Sequence, residues 1–440
     1  MLEYYMLCAR EAQILKGNFD MLNAILSLVF FAAAIAIGCV LKKNTGIVSI
    51  ALAFVLAKIT KIPDKQVLSS FDSKLFIMLL GIMLLFGIAQ NNRTLDILAK
   101  KSIALCRGKV KLIPIVLFVF SAVVSAVGPG LISTTGLMSA LAMALAIKTG
   151  VEPISLLLFA AVGAFAGGLS PITPSGIVAI TNAENSGVSG ITFPIAVWMF
   201  IVMLFSAAVL YFFIFKWHKY KQDDGVQLID AGEDEKFELK HIFTIVGFVV
   251  VPVLQGAFGF DIGLTAFAVS CILFICGFAD EGAVIKKIPW NTLLMITGVG
   301  MLISLVTELG GADLVSEGIL VLMNKTTAPA ILTIISGVMS WVSSASGVVM
   351  PTWIPQVPTF VAQLPGVSAT ALVTGICIGA NAAAFSPLSS CGGLMLSAYS
   401  TSEVATPEGR NKMFSQLFFF SAACIGVSAV FALIGCFAWF

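Results

Sequence analysis

Long apolar runs separated by short polar clusters fill the chain from residue 21 to its end. The pattern predicts membrane-spanning helices at 21–41, 46–60, 75–90, 154–181 and 191–215. A second set is predicted at 242–258, 262–279, 291–308, 368–400 and 413–437. Most of these runs approach or exceed the roughly 17–25 residues that carry a helix across a hydrocarbon core. They are too long for barrel strands, which alternate over about ten residues. Two more apolar regions, 112–147 and 329–362, are interrupted by "SAVGPG" (125–130) and "SSASG" (343–347). As a helix the arm 112–124 rises only about 20 Å, too little to cross. Each region is therefore expected to form a re-entrant hairpin. The spans at 154–181 and 368–400 each contain a break, "AGGLSPITPSG" (166–176) and "FSPLSSCGG" (385–393). Amphipathic stretches at 93–111 and 312–325 read as helices lying along the membrane surface.

The two halves match. "LFIMLLGIMLL" (75–85) resembles "LLMITGVGMLI" (293–303), with Gly298 standing 217 positions after Gly81. "SAVG" corresponds to "SASG" at an offset of 219, and Ser170-Pro171 to Ser386-Pro387 at 216. The predicted organisation is a repeat at 21–215, a hydrophilic cytoplasmic linker at 216–240 and a second repeat at 241–440. Residues 1–20 lack the apolar core of a signal peptide and read as a peripheral arm, with Met21 as an alternative start. Five crossings per half is an odd number, so the second half should run inverted relative to the first. Such inverted repeats are common among secondary transporters. With the segment after the first span inside, 18 of the 25 Lys and Arg lie on the cytoplasmic side. That places both termini outside, in a multi-pass protein of the inner (plasma) membrane.

Composition narrows the picture. Hydrophobic residues make up 59% and charged residues 11%, against roughly 25% charged in soluble domains. The net charge of +2 implies no nucleic-acid partner. The nine cysteines form no C-x-x-C pair, and His218 and His241 have no ligand-spaced neighbours, so no metal site or cofactor is expected. No nucleophile–base pair or phosphate loop suggests an enzyme.

The candidate chemistry lies in the two tips and the two breaks. Proline removes a backbone donor, and glycine costs about 1 kcal/mol in a helix. Unwound backbone inside a bilayer persists only when buried in protein or lining a polar cavity. A half-helix N-terminus favours a carboxylate, and free carbonyl and hydroxyl oxygens favour a small hard cation. One such break alone could equally be a kink; four at repeat-matched positions point to a site. No charged residue lies within 112–147, 154–181, 329–362 or 368–400 apart from Lys148 just beyond the first. Proton-coupled carriers usually keep a buried ionisable group, so neutral oxygens favour Na+ as the coupling ion. Pro351, Pro355 and Pro358 should make the second hairpin less regular than the first.

With these motifs in place, the chain resembles the divalent anion–sodium symporters of the ion transporter superfamily. Within them it looks closest to the malonate/dicarboxylate carriers of the MatC type. "GAFAGGLSPITPSG" is similar to that family's first broken helix and "NAAAFSPLSSCGG" to its second. The resemblance implies a dimerising scaffold, and so a homodimer, with a transport domain that moves as an elevator. It implies substrate contacts at Ser125, Gly128, Thr173, Pro174 and Ser175, and at Ser344, Ser346, Ser386, Pro387, Ser389 and Ser390. Na+ would bind near Ser125, Gly128, Ser170, Ser344, Gly347 and Ser386. Family members carry Ser-Asn-Thr at both tips, whereas here they read Ser125-Ala126-Val127 and Ser344-Ala345-Ser346. The expected function is Na+-coupled transport of a small organic dianion such as malonate, malate or succinate. The alternatives are the membrane subunit of a binding-protein-dependent transporter and a cation–proton antiporter on the same fold.

Overall fold

The computed structural model describes residues 21–38, 40–41, 43–104, 106, 109–215 and 236–439. The expected N-terminal arm, most of the expected linker and His218 lie outside the described residues. Among the described residues every regular element is helical. The first half holds α1 (Met21–Gly38), α2 (Thr45–Thr60), α3 (Asp64–Ser69), α4 (Ser73–Asn91) and α5 (Thr94–Ala104). It continues with α6 (Ile113–Ala126), α7 (Gly130–Thr149), α8 (Pro153–Gly167), α9 (Pro174–Asn185) and α10 (Thr192–Val209). The second half begins with α11 (Leu239–Phe258), α12 (Ile262–Ile275), α13 (Glu281–Lys287), α14 (Trp290–Glu308) and α15 (Gly311–Leu320). Then come α16 (Ala328–Val342), α17 (Met350–Trp353), α18 (Val357–Gln363), α19 (Ala369–Ala382), α20 (Ser390–Ser400) and α21 (Pro407–Leu433). Seven described helical stretches are long and apolar enough to cross a membrane.

The helices form two groups. In one, α6 packs along α8, α16 along α19, and α10 and α21 complete the bundle. In the other, α2 packs on α14 and α12 on α4, with α11 against α12 and α13 against α4. Close glycine contacts set both crossings of this second group. A Cβ on Gly298 would sit 2.4 Å from the Gly46 carbonyl oxygen, and one on Gly81 would sit 2.4 Å from that of Gly263. Small residues of this kind let helix backbones approach closely in membranes. Gly263 follows Gly46 by 217 positions, the same offset that separates Gly298 from Gly81. The two contacts therefore join positions that stand at the same offset, Gly46 with Gly298 and Gly81 with Gly263.

Helices α4 and α14 lie side by side and antiparallel. The start of α4 (Asp72 to Leu75) shares a crevice with the end of α14 (Ser304, Thr307, Glu308), and Gln90 near the end of α4 shares a cavity with Thr292 near the start of α14. Helix α4 packs against α9, and α14 against the second tip and α17.

Several local details differ from the sequence reading. The hairpin arms are unequal: α6 has 14 residues and α7 has 20, long enough to cross. The surface helices α5 and α15 are shorter than the amphipathic stretches predicted for them. Helices α3 and α13 fall between the predicted spans, because their few residues carry no long periodic signal. Asp280 caps α13 by accepting from the Ala283 N–H at 2.6 Å, whereas α3 starts after Pro63 with no side-chain cap. The second hairpin is less regular, as its prolines predict. Its return arm splits into a π-turn (Ala345–Val349), α17, a 3-10 turn (Ile354–Gln356) and α18.

Candidate functional site

The two broken helices close in the same way. Helix α8 stops at Gly167, and Thr173 caps α9. The Thr173 hydroxyl faces the carbonyl oxygens of Gly168 at 2.7 Å and Ser170 at 2.8 Å, and accepts from the Gly176 N–H at 3.1 Å. Ser389 caps α20 in the same manner. Its hydroxyl faces the Ala384 and Ser386 carbonyls and accepts from the Gly392 N–H at 3.4 Å. The partners stand at identical spacings in both breaks. These two hydroxyls, expected at the substrate, are engaged in holding the breaks shut. Pro174 occupies the first helical position, where its missing N–H costs nothing.

The two tips differ. Helix α6 ends at Ala126, and the turn passes through Gly128 and Gly130, with φ of +151° and +70°. A Cβ on Gly130 would lie 2.9 Å from Pro174 Cδ, so the first tip rests on the first residue of α9. Only glycine satisfies both the left-handed backbone and the close approach. In the second tip the chain extends through Ser343, and Ser344 caps the π-turn by accepting from the Gly347 N–H at 3.0 Å. Gly347 lies against Met295 of α14. Ser125 is not a cap. It is fully buried in the last turn of α6, and its hydroxyl has no hydrogen-bond partner, like that of Ser121 one turn earlier.

A cavity of about 200 Å³ joins these parts at the boundary between the helix groups. Gly128, Pro129 and Gly130 of the first tip, Pro174 and Ser175 of α9, and Ser346 of the second tip line it. Ile82, Met83, Phe86 and Gln90 of α4 form the opposite wall, with Thr292 of α14. Three of the four sequence-predicted stretches therefore meet. The fourth does not: Ser386, Pro387, Ser389 and Ser390 are absent from the lining, and Ser390 is exposed. Helix α9 packs on α4, whereas α20 packs on α7 and α21. Ser125, Ser170, Thr173, Ser344 and Gly347 are not among the lining residues either. Among the described residues no cluster of His, Cys, Asp or Glu could hold a metal ion. Gln90, Thr292, Ser133 and Lys287 line the cavity but were missed by the sequence reading. In the sequence Lys287 is one of the 18 Lys and Arg on the expected cytoplasmic side, and Gln90 sits at a span end, where polar residues are ordinary.

The sequence model of the citrate transporter family (CitMHS) matches residues 28–388, well over half of the chain. The protein belongs to the citrate transporter family. It is a transport protein of the membrane rather than an enzyme. The match runs from α1 to the second break, so every cavity-lining residue falls within the region shared with citrate transporters, and α20 and α21 lie beyond it. The fold of this citrate transporter family member is similar to that of the YdaH transporter of Alcanivorax borkumensis, whose crystal structure reveals an unusual topology. The TM-score is 0.59 at 12% identity, over 85% of this chain and 88% of that one. At that identity the likeness concerns the fold alone. No curated protein sequence matches the chain.

Proposed function

We propose that the protein is a Na+-coupled secondary carrier of a small organic anion bearing two or three carboxylates. The observation that carries this reading is the cavity where both tips and the start of α9 converge between the helix groups. At about 200 Å³ it is small beside the roughly 300–1,000 Å³ of drug-sized pockets. Its lining offers hydroxyls, tip backbone and the positive end of the α9 dipole, which suit carboxylate oxygens. The family match supports citrate, a tricarboxylate, beside the dicarboxylates that the resemblance favours.

Na+ travels as a second substrate in this reading. The buried, unpartnered hydroxyls of Ser121 and Ser125 support it. A buried polar atom left unpaired costs about 1–3 kcal/mol, and a bound cation would relieve that cost. The antiparallel pairing of the repeat-matched helices α4 and α14 supports an inverted duplication. The boundary position of the cavity supports an elevator in which the tip-bearing group slides against the α4–α14 group. Assembly as a homodimer, with both termini outside, belongs to the same reading.

Uptake of labelled citrate and succinate into right-side-out vesicles, with an inward Na+ gradient, tests it. Accumulation above equilibrium that collapses without Na+ is expected. Equal accumulation driven by a pH gradient alone would refute the coupling, and no uptake of either anion would refute the carrier.

A further inference from the structure

The cavity has a single ionisable side chain on its lining, Lys287. Three hydrogen bonds and one close contact fix it there. Asp280 caps α13, and the Asp280 N–H donates to Asn91 Oδ1 at the end of α4 at 3.1 Å. Trp290 Nε1 donates to the Ile285 carbonyl at 3.1 Å, tying α13 to α14. Val284 is fully buried, and a Cβ on Gly87 would sit 2.8 Å from Val284 Cγ1. Gly87 therefore lets α13 settle onto α4. Lys287 follows Val284 by three residues and shares its side of the helix. This anchoring carries Lys287 to the cavity mouth, where it is exposed and forms no ion pair or hydrogen bond among the described residues. The Gln90 amide, one turn after Gly87 on α4, also has no protein partner among them.

The repeat shows that this charge is not part of the shared scaffold. A crevice of about 720 Å³ lies at the other end of the α4–α14 pair. Its lining residues Gly300, Ile303, Ser304 and Thr307 stand 217 positions after Met83, Phe86, Gly87 and Gln90 of the cavity. At that offset Lys287 corresponds to Ser70 and Gln90 to Thr307. The charged residues lining the second crevice are Asp72, Lys74 and Glu308. The two mouths are built from matching positions yet differ in sign: one carries a lone cation, the other an excess of one carboxylate.

We infer that Lys287, assisted by Gln90, selects substrates by their negative charge and does so from one face of the membrane only. The inference rests on the carboxylate-carrier reading above. A lysine held at the mouth of a charge-free cavity draws in an anion and donates to one of its carboxylates. A substrate with a third carboxylate gains more than one with two. From the opposite face the anion meets Asp72 and Glu308 and gains nothing from Lys287.

Transport kinetics in right-side-out and inverted vesicles test this, with labelled citrate and labelled succinate. In one orientation, Lys287→Gln should raise KM for citrate about tenfold, the loss of one charge-assisted hydrogen bond, and KM for succinate less. Vmax should hold, Lys287→Arg should restore KM, and added salt should narrow the gap between wild type and variant. In the other orientation KM should not move. An unchanged KM for citrate in both orientations, or an equal rise in both, would overturn the inference while leaving the carrier reading intact. Wild-type vesicles that move neither anion would instead overturn the carrier reading.

Discussion

Thr173 and Ser175 stand two positions apart and do different work. The Thr173 hydroxyl bridges the α8–α9 break, whereas Ser175 looks into the cavity. Losing an N-cap costs about 1–2 kcal/mol. Thr173→Val should therefore lower the unfolding temperature in detergent, and Thr173→Ser should preserve it. Ser175→Ala should leave that temperature unchanged and raise KM for the transported anion. The sequence marked both positions as polar interruptions of an apolar run, but a hydroxyl's partner cannot be read from its neighbours in the chain. A second contrast concerns thiols. Cys106 is fully buried between α5 and α6, and burial pushes its thiol up to about 11. Cys276, just past α12, is exposed. At pH 7.5 a water-soluble maleimide should label Cys276 and spare Cys106 until the protein is unfolded, because the reacting species is the thiolate. Early labelling of Cys106 would contradict its burial.

At the scale of elements, glycine decides how the helices cross. Gly81 and Gly298 each face a partner backbone oxygen at a distance no methyl group tolerates. Gly81→Ala and Gly298→Ala should both force the α4–α12 and α2–α14 pairs apart. The expected result is a sharp drop in monodisperse protein on gel filtration. Gly300→Ala, on the same helix as Gly298, has nothing within 4 Å of the added carbon and should behave as wild type. Helix limits and breaks were legible because proline, glycine and hydropathy act locally. The match of Gly81 to Gly298 was legible too. Its consequence, that each glycine packs against the opposite half, was not, because the pattern of one helix does not name its neighbour. Helices α3 and α13 were missed for a related reason: at six and seven residues they are too short for a periodic signal, and each is seated by one buried valine, Val67 or Val284.

The whole molecule is two helix groups meeting along α4 and α14, with polar spaces at both ends of the seam. One direct bond crosses the seam at the second crevice, from Asn185 Nδ2 of α9 to Asp72 Oδ2 before α4, at 3.5 Å. If transport requires the groups to slide, a covalent bridge there should stop it. The pair Asp72→Cys and Asn185→Cys, joined by a short bifunctional thiol reagent, should lose substrate uptake. Each single variant treated alike should retain it. Uptake that survives complete bridging would show that the groups need not move apart along that seam.

The sequence by itself determined that the chain is a helical membrane protein, where its spans break, and which positions match at an offset of about 217. It also determined that the broken segments carry no charge. All of these follow from composition and local backbone chemistry. Only the tertiary structure decided that three of the four broken stretches share one cavity while Ser386 to Ser390 stand apart. It also decided that Thr173 and Ser389 close the breaks with their own hydroxyls, and that Lys287 reaches the mouth. Those outcomes depend on which helices cross and how closely, which the glycine contacts and the seam between the groups set across separations of hundreds of residues.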